Sequence, residues 1–168
     1  MDGTENQKKA VRSTIETRLK PADANFVTWE DCAGVKFREL QATDSCGRIR
    51  ITSKAEGKDN WYWSAVGTKA LDSKKFPVTR PTVKLAGLLD EYPPSKLHRG
   101  NILHEFGHVL GLDHEHQSPS MEDYLKLNEE AVIKHYGGDR ADARKQFLDR
   151  VQDPTNYTRF DKNLSWCR

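Results

Sequence analysis

Residues 104 to 114 read HEFGHVLGLDH. On a helix, at about 100° per residue, His104 and His108 fall about 40° apart and one turn along the same face. Two imidazole nitrogens so placed can reach one zinc ion. Glu105 lies about 100° round from His104. Its carboxylate then sits beside the ion, placed to hold a water instead of acting as a ligand. His114 cannot join by continuing the helix, because six residues past His108 it would be about 240° round and about 9 Å further along. The chain must therefore turn after Leu110. Gly111 stands where a helix can end in the left-handed conformation that glycine adopts without a Cβ penalty. That turn would bring His114 back as a third nitrogen. Three histidines and a water form the open four-coordinate site of a catalytic zinc. The reading is one zinc per chain, held by His104, His108 and His114, with Glu105 as the catalytic carboxylate and no organic cofactor.

HExxH alone is a modest signal; the glycine and the third histidine make the longer pattern far more specific. An amphipathic helix with three unrelated surface histidines would leave Gly111 and His114 unexplained. The other histidines carry no comparable spacing. His116 reads as an exposed loop residue, and His98 and His135 as ordinary surface or core residues. Trp61, Tyr62 and Trp63 read as strand packing.

Several elements must position these residues. A helix is expected from about Thr4 to Lys20, with Thr4 and Gln7 as a capping box, Val11, Ile15 and Leu19 as its apolar stripe and Pro21 as its stop. Strand-like runs follow at Val35–Leu40, Arg48–Thr52, Trp61–Val66 and Thr82–Leu88. The motif helix is expected from about Ser95 to Leu110, with Ile102, Leu103, Phe106, Val109 and Leu110 opposite the metal face. Two more helices are expected at Asn128–Tyr136 and Asp139–Gln152, split by Gly137 and Gly138. Strands come early and helices late, which suggests an α+β layer.

Composition limits the alternatives. The chain has 168 residues, 31% of them charged, yet a net charge of only +2. Such a length suits one domain, here 1–168, with a sheet-helix half at 1–111 and a helical half at 112–168. The mixed charges give no case for nucleic acid. No apolar run is long enough for a membrane span, and MDGTENQKKA has no signal-peptide h-region. The three cysteines, Cys32, Cys46 and Cys167, allow one disulfide and require none. Asn156 and Asn163 lie in N-x-[ST] triplets, which matter only on a secretory route.

HExxHxxGxxH is the signature of the metzincin zinc peptidases, and the chain resembles the astacin-like branch. HEHQSP at 114–119 is similar to the astacin continuation after the third histidine. WSAVG at 63–67 and TVKLAGL at 82–88 resemble the family's central and edge strands, and TNYTRFD at 155–161 resembles the run into the Met-turn. The resemblance implies a zincin-like fold, with a twisted mixed sheet over the active-site helix. It implies a secreted zinc metalloendopeptidase acting on peptide or protein substrates. Thr82–Leu88 would then be the edge strand that pairs with an extended substrate. Glu115 would be the position that can pair with a trimmed N-terminus.

The last residues depart from that pattern. After FDKN the chain reads LSWCR, so an ungapped reading puts Trp166 at the family's methionine and Arg168 at its tyrosine. The expectation is a chain truncated before the Met-turn. A zinc-binding pseudoenzyme with little or no catalysis is the alternative to the active peptidase.

Overall fold

The computed structural model describes residues 1–22, 24–40, 47, 49–55, 61–114, 117 and 128–144. The chain divides into two compact units, one built on Met1–Gly111 and the other on Leu112–Phe160.

In the first unit, Thr4 begins helix α1, Glu5–Ile15, through the expected capping box with Gln7. Both side chains accept from backbone N–H groups that helical bonding leaves unpaired. The Gln7 amide also donates to the Leu88 carbonyl, 2.7 Å away. The helix is shorter than the expected Thr4–Lys20. Glu16 leaves helical geometry at φ −102°, ψ 124°, and a 3-10 turn at Thr17–Leu19 follows. The apolar stripe is cut with it: Val11 and Ile15 are buried, but Leu19 is 40% exposed.

Helix α2, Trp29–Cys32, is one turn, capped reciprocally by Thr28 and Asp31. Strands β1 (Ile51–Thr52), β2 (Tyr62–Ser64) and β3 (Val83–Leu85) form a mixed sheet in the order β1-β3-β2. β1 runs parallel to β3, and β2 antiparallel to it, with Trp63 opposite Lys84. This corrects the expected roles of the last two strands. β3 is central, and the stretch expected as the edge strand is paired on both sides. β2 is at the edge.

The run Val35–Leu40 forms no strand. The Phe37 N–H goes to the Glu30 carboxylate at 2.9 Å instead of to a neighbouring ladder. Its ring packs edge-on against Phe106, with centroids 5.4 Å apart. So this run supplies core contact without strand pairing.

Helix α3, Lys96–Val109, is capped by Ser95, whose side chain accepts from the His98 N–H. The core joins α1, the sheet and α3 through Val11, Ile15, Val83, Leu85, Leu88, Ile102 and Phe106. Ile102 and Phe106 are 0% and 1% exposed, and each buried side chain of this size contributes about 1.5–3 kcal/mol. The Trp29 indole N–H donates to the Leu103 carbonyl at 2.8 Å and fixes α2 against α3.

The second unit contains α4, Glu129–His135, and α5, Arg140–Ala143, capped by Asn128 and Asp139. Gly137 and Gly138 between them have φ of 65° and 89°. Residues 145–152 of the expected last helix lie outside the described residues, as do His116, Glu115, Cys46, Asn156, Asn163, Cys167 and the run 155–168. The architecture is α+β, with a small mixed sheet.

Candidate metal centre

Helix α3 separates two functions by its period. Ile102 and Phe106 face the core, whereas His104 lies on the exposed side. Four residues on, the His108 Nε2 is 3.1 Å from the His104 Nε2. The rings meet edge to face, with centroids 4.6 Å apart and an interplanar angle of 81°. Two nitrogens on one tetrahedral zinc, each at about 2.0–2.1 Å, stand about 3.3 Å apart. The observed pair is close to that separation.

The helix ends as its glycine predicts. Leu110 is the C-cap, and Gly111 has φ 99°, with its N–H donating to the His108 carbonyl at 2.9 Å. The carbonyl of a histidine in the pair is thus bonded into the turn that ends the helix. Three residues further, His114 offers a nitrogen as well. Ligand-capable atoms of His104, His108 and His114 all lie within 4.8 Å of one another. The three histidines are therefore close enough to bind a metal ion. All-imidazole donors suit zinc, copper, iron or nickel better than the hard cations.

Electrostatics favours the form that binds metal. Partial burial and the nearby His108 hold the His104 pKa below the ordinary histidine value, outweighing the opposite pull of Glu105. A neutral imidazole keeps the lone pair a metal needs.

Glu105 points elsewhere than sequence reasoning could resolve. It is 4% exposed, and its Oε2 accepts a hydrogen bond from the Ser64 hydroxyl at 2.7 Å. The same hydroxyl lies 2.8 Å from the Glu105 carbonyl. The edge strand β2 thus grips α3 at the residue between the two histidines of the helix and the core. No sequence pattern marked Ser64 as a site residue, since a lone serine in a strand has no diagnostic spacing. His98 belongs to a separate local contact, its Nδ1 being 3.0 Å from Glu91 Oε1. His135, the last residue of α4, meets the ring of the C-cap Tyr136 edge-on. Cys32 is exposed, and its thiol donates to the Thr28 carbonyl at 3.3 Å.

Comparison with known proteins gives this geometry a context. Residues 95–159 match the model of the Astacin peptidase family. A 60-residue stretch is 37% identical to astacin-like metalloprotease toxin 2 of Loxosceles intermedia, covering 34% of this chain and 22% of the relative. A 40-residue stretch is 42% identical to astacin-like metalloprotease toxin 4 of Loxosceles laeta, covering 24% of this chain and 35% of the relative. The matched regions thus span well under half of either relative. No solved structure matches the chain. Among the described residues, no helix is long and apolar enough to cross a membrane. The segment 95–159, which carries HExxHxxGxxH near its start, is thus astacin-like in sequence.

Proposed function

We propose that the chain is the catalytic part of a zinc metalloendopeptidase with a zincin-like fold, residues 1–168 belonging to a single peptidase domain. His104, His108 and His114 would hold one zinc ion. The observation that carries this reading is that ligand-capable atoms of the three histidines lie within 4.8 Å of one another, with the buried Glu105 adjacent to His104 in the chain. When bound, zinc supplies Lewis acidity for the scissile carbonyl and for the attacking water.

The chain's own groups do the rest. Glu105 takes a proton from the attacking water and returns it to the leaving amine nitrogen. The three imidazoles present ring-nitrogen lone pairs. β2 lies at the sheet edge next to α3, so an extended peptide adding to that edge would run past the histidine face. Substrates are therefore peptide segments that can adopt strand geometry. The two relatives named as toxins support a secreted role.

The test is metal analysis with a peptide-library digest. The expected result is one zinc per chain, with internal peptide bonds cleaved and cleavage abolished by a chelator and restored by added zinc. Cleavage that survives complete metal removal would overturn the reading.

A further inference from the structure

We infer that Ser64 is the positioning residue for the Glu105 carboxylate, which the edge strand β2 thereby aligns. This rests on the proposed role of Glu105 as general base.

The observation is one hydroxyl between two acceptors of the same residue. Ser64 Oγ lies 2.7 Å from Glu105 Oε2 and 2.8 Å from the Glu105 carbonyl. A serine hydroxyl carries one hydrogen. The carboxylate is the stronger acceptor, and at 2.7 Å against 2.8 Å it is also the nearer one. The carbonyl, four residues before Val109, is already served by helical bonding within α3.

Two consequences follow. First, a carboxylate 4% exposed is costly to keep charged without a donor. Ser64 is that donor. Second, a bond to Oε2 from a strand that does not belong to the helix removes freedom from the glutamate side chain. It leaves Oε1 as the oxygen for proton transfer. Because Ser64 is the last residue of β2, the same strand that offers its edge to a peptide also fixes the base. Peptide register and carboxylate position are thus referred to one short segment, which is the arrangement an in-register attack requires.

The geometry also separates positioning from mere structure. Ser64 pairs through the backbone with Val83 of the central strand. That pairing does not need the hydroxyl. Ser64→Ala should keep the strand and lose only the grip on the carboxylate.

The experiment compares the full chain with Ser64→Ala and Ser64→Thr, using two readouts. Isotope-edited infrared difference spectra against Glu105→Gln, taken without metal, report the Glu105 carboxylate stretch. The zinc-loaded proteins are then assayed for kcat and KM on a cleavable peptide. Ser64→Ala is expected to shift the stretch, to lower kcat about 10- to 100-fold, and to leave KM and zinc stoichiometry unchanged. Ser64→Thr keeps a hydroxyl on a residue suited to strands and is expected to restore both the stretch and kcat. An unshifted stretch, or an unchanged kcat in Ser64→Ala, would overturn the inference while leaving the peptidase reading intact. A rise in KM with loss of zinc in both variants would show a structural role and overturn it as well. A parent chain that binds zinc but cleaves no peptide would overturn the functional reading, and the positioning role would fall with it.

Discussion

Gly67 and Gly111 meet backbone to backbone: a Cβ on Gly67 would lie 3.1 Å from the Gly111 Cα. Gly67 opens the 3-10 turn after β2, and Gly111 follows the C-cap of α3. Both have positive φ, 50° and 99°. The turn after β2 thus meets the turn that ends the motif helix, while Ser64 of the strand itself meets Glu105.

From that contact, Gly67→Ala is expected to weaken zinc binding without removing a ligand. It adds a left-handed penalty of about 1–2 kcal/mol and a close contact with backbone that cannot rotate away. A Cβ on Gly111 meets nothing within 4 Å, so Gly111→Val is expected to act through the strain of a β-branched residue at positive φ. Gly111→Asn should be milder, because asparagine tolerates positive φ. Zinc titration against a competing chelator checks the order. Equal affinity in all three variants and the parent would remove the glycines from the account of the site.

A second prediction concerns acid. Thr17 Oγ1 donates to Asp31 at 2.6 Å and the Thr28 N–H at 3.0 Å, and together they hold the Asp31 pKa well below the ordinary carboxylate value. The Phe37 N–H, with help from Lys36 and Thr17, lowers Glu30 as well. A group whose folded pKa is depressed stabilises fully above its unfolded pKa and loses that contribution as pH falls through the folded value. The contribution of these two carboxylates should thus be level above about pH 5 and be lost as pH falls below the unfolded carboxylate range of about 4. Urea midpoints at about pH 6, 4 and 3 measure this, spanning that range. Asp31→Asn should lower the midpoint at the highest of these and flatten the decline. A variant with the parent's slope would show that Asp31 is not part of the acid response.

Legibility in the chain followed the range of the interactions. Ser95, Gly111, Thr4 with Gln7, Asn128 and Asp139 act on backbone groups within a few residues of themselves, and each stands at a helix end where its type predicts. The i, i+4 relation of His104 and His108 is likewise local. Strand order was not legible. The place of β3 between β1 and β2 depends on partners distant along the chain, and periodicity within a strand does not say which strands flank it. Val35–Leu40 misled for a related reason, since Phe37 is half-buried against Phe106 without any ladder. Ser64 was missed because its contact with Glu105 spans 41 residues along the chain.

For the metal centre, His108→Ala is expected to abolish stoichiometric zinc. His108 is the member of the trio that is 9% exposed and carries the Nε2 at 3.1 Å from His104. Removing it leaves two donors, too few for the four-coordinate site with one open position. Equilibrium dialysis with metal analysis measures the loss. A full equivalent retained by the variant would sink the assignment of ligands.

Glu105→Gln separates chemistry from architecture. Glutamine is nearly isosteric, and its side-chain carbonyl can still accept from the Ser64 hydroxyl that now bonds Oε2 at 2.7 Å. The strand-to-helix contact should therefore survive. The change removes a carboxylate that is 4% exposed, and a neutral amide costs less to bury than a charge, so the melting temperature should hold or rise. Zinc stoichiometry should remain at one, because the three imidazoles are untouched. Proton transfer is what the amide cannot perform at neutral pH. Loss of a general base typically costs about 10²- to 10⁴-fold in rate, and the fall should appear in kcat with KM little changed, since Glu105 makes no contact that anchors a peptide. The measurement is steady-state cleavage of a single peptide by the zinc-loaded parent and variant, with melting curves and metal content taken on the same samples. A variant that keeps its zinc and its fold and still cleaves at the parent rate would show that some other group accepts the water's proton.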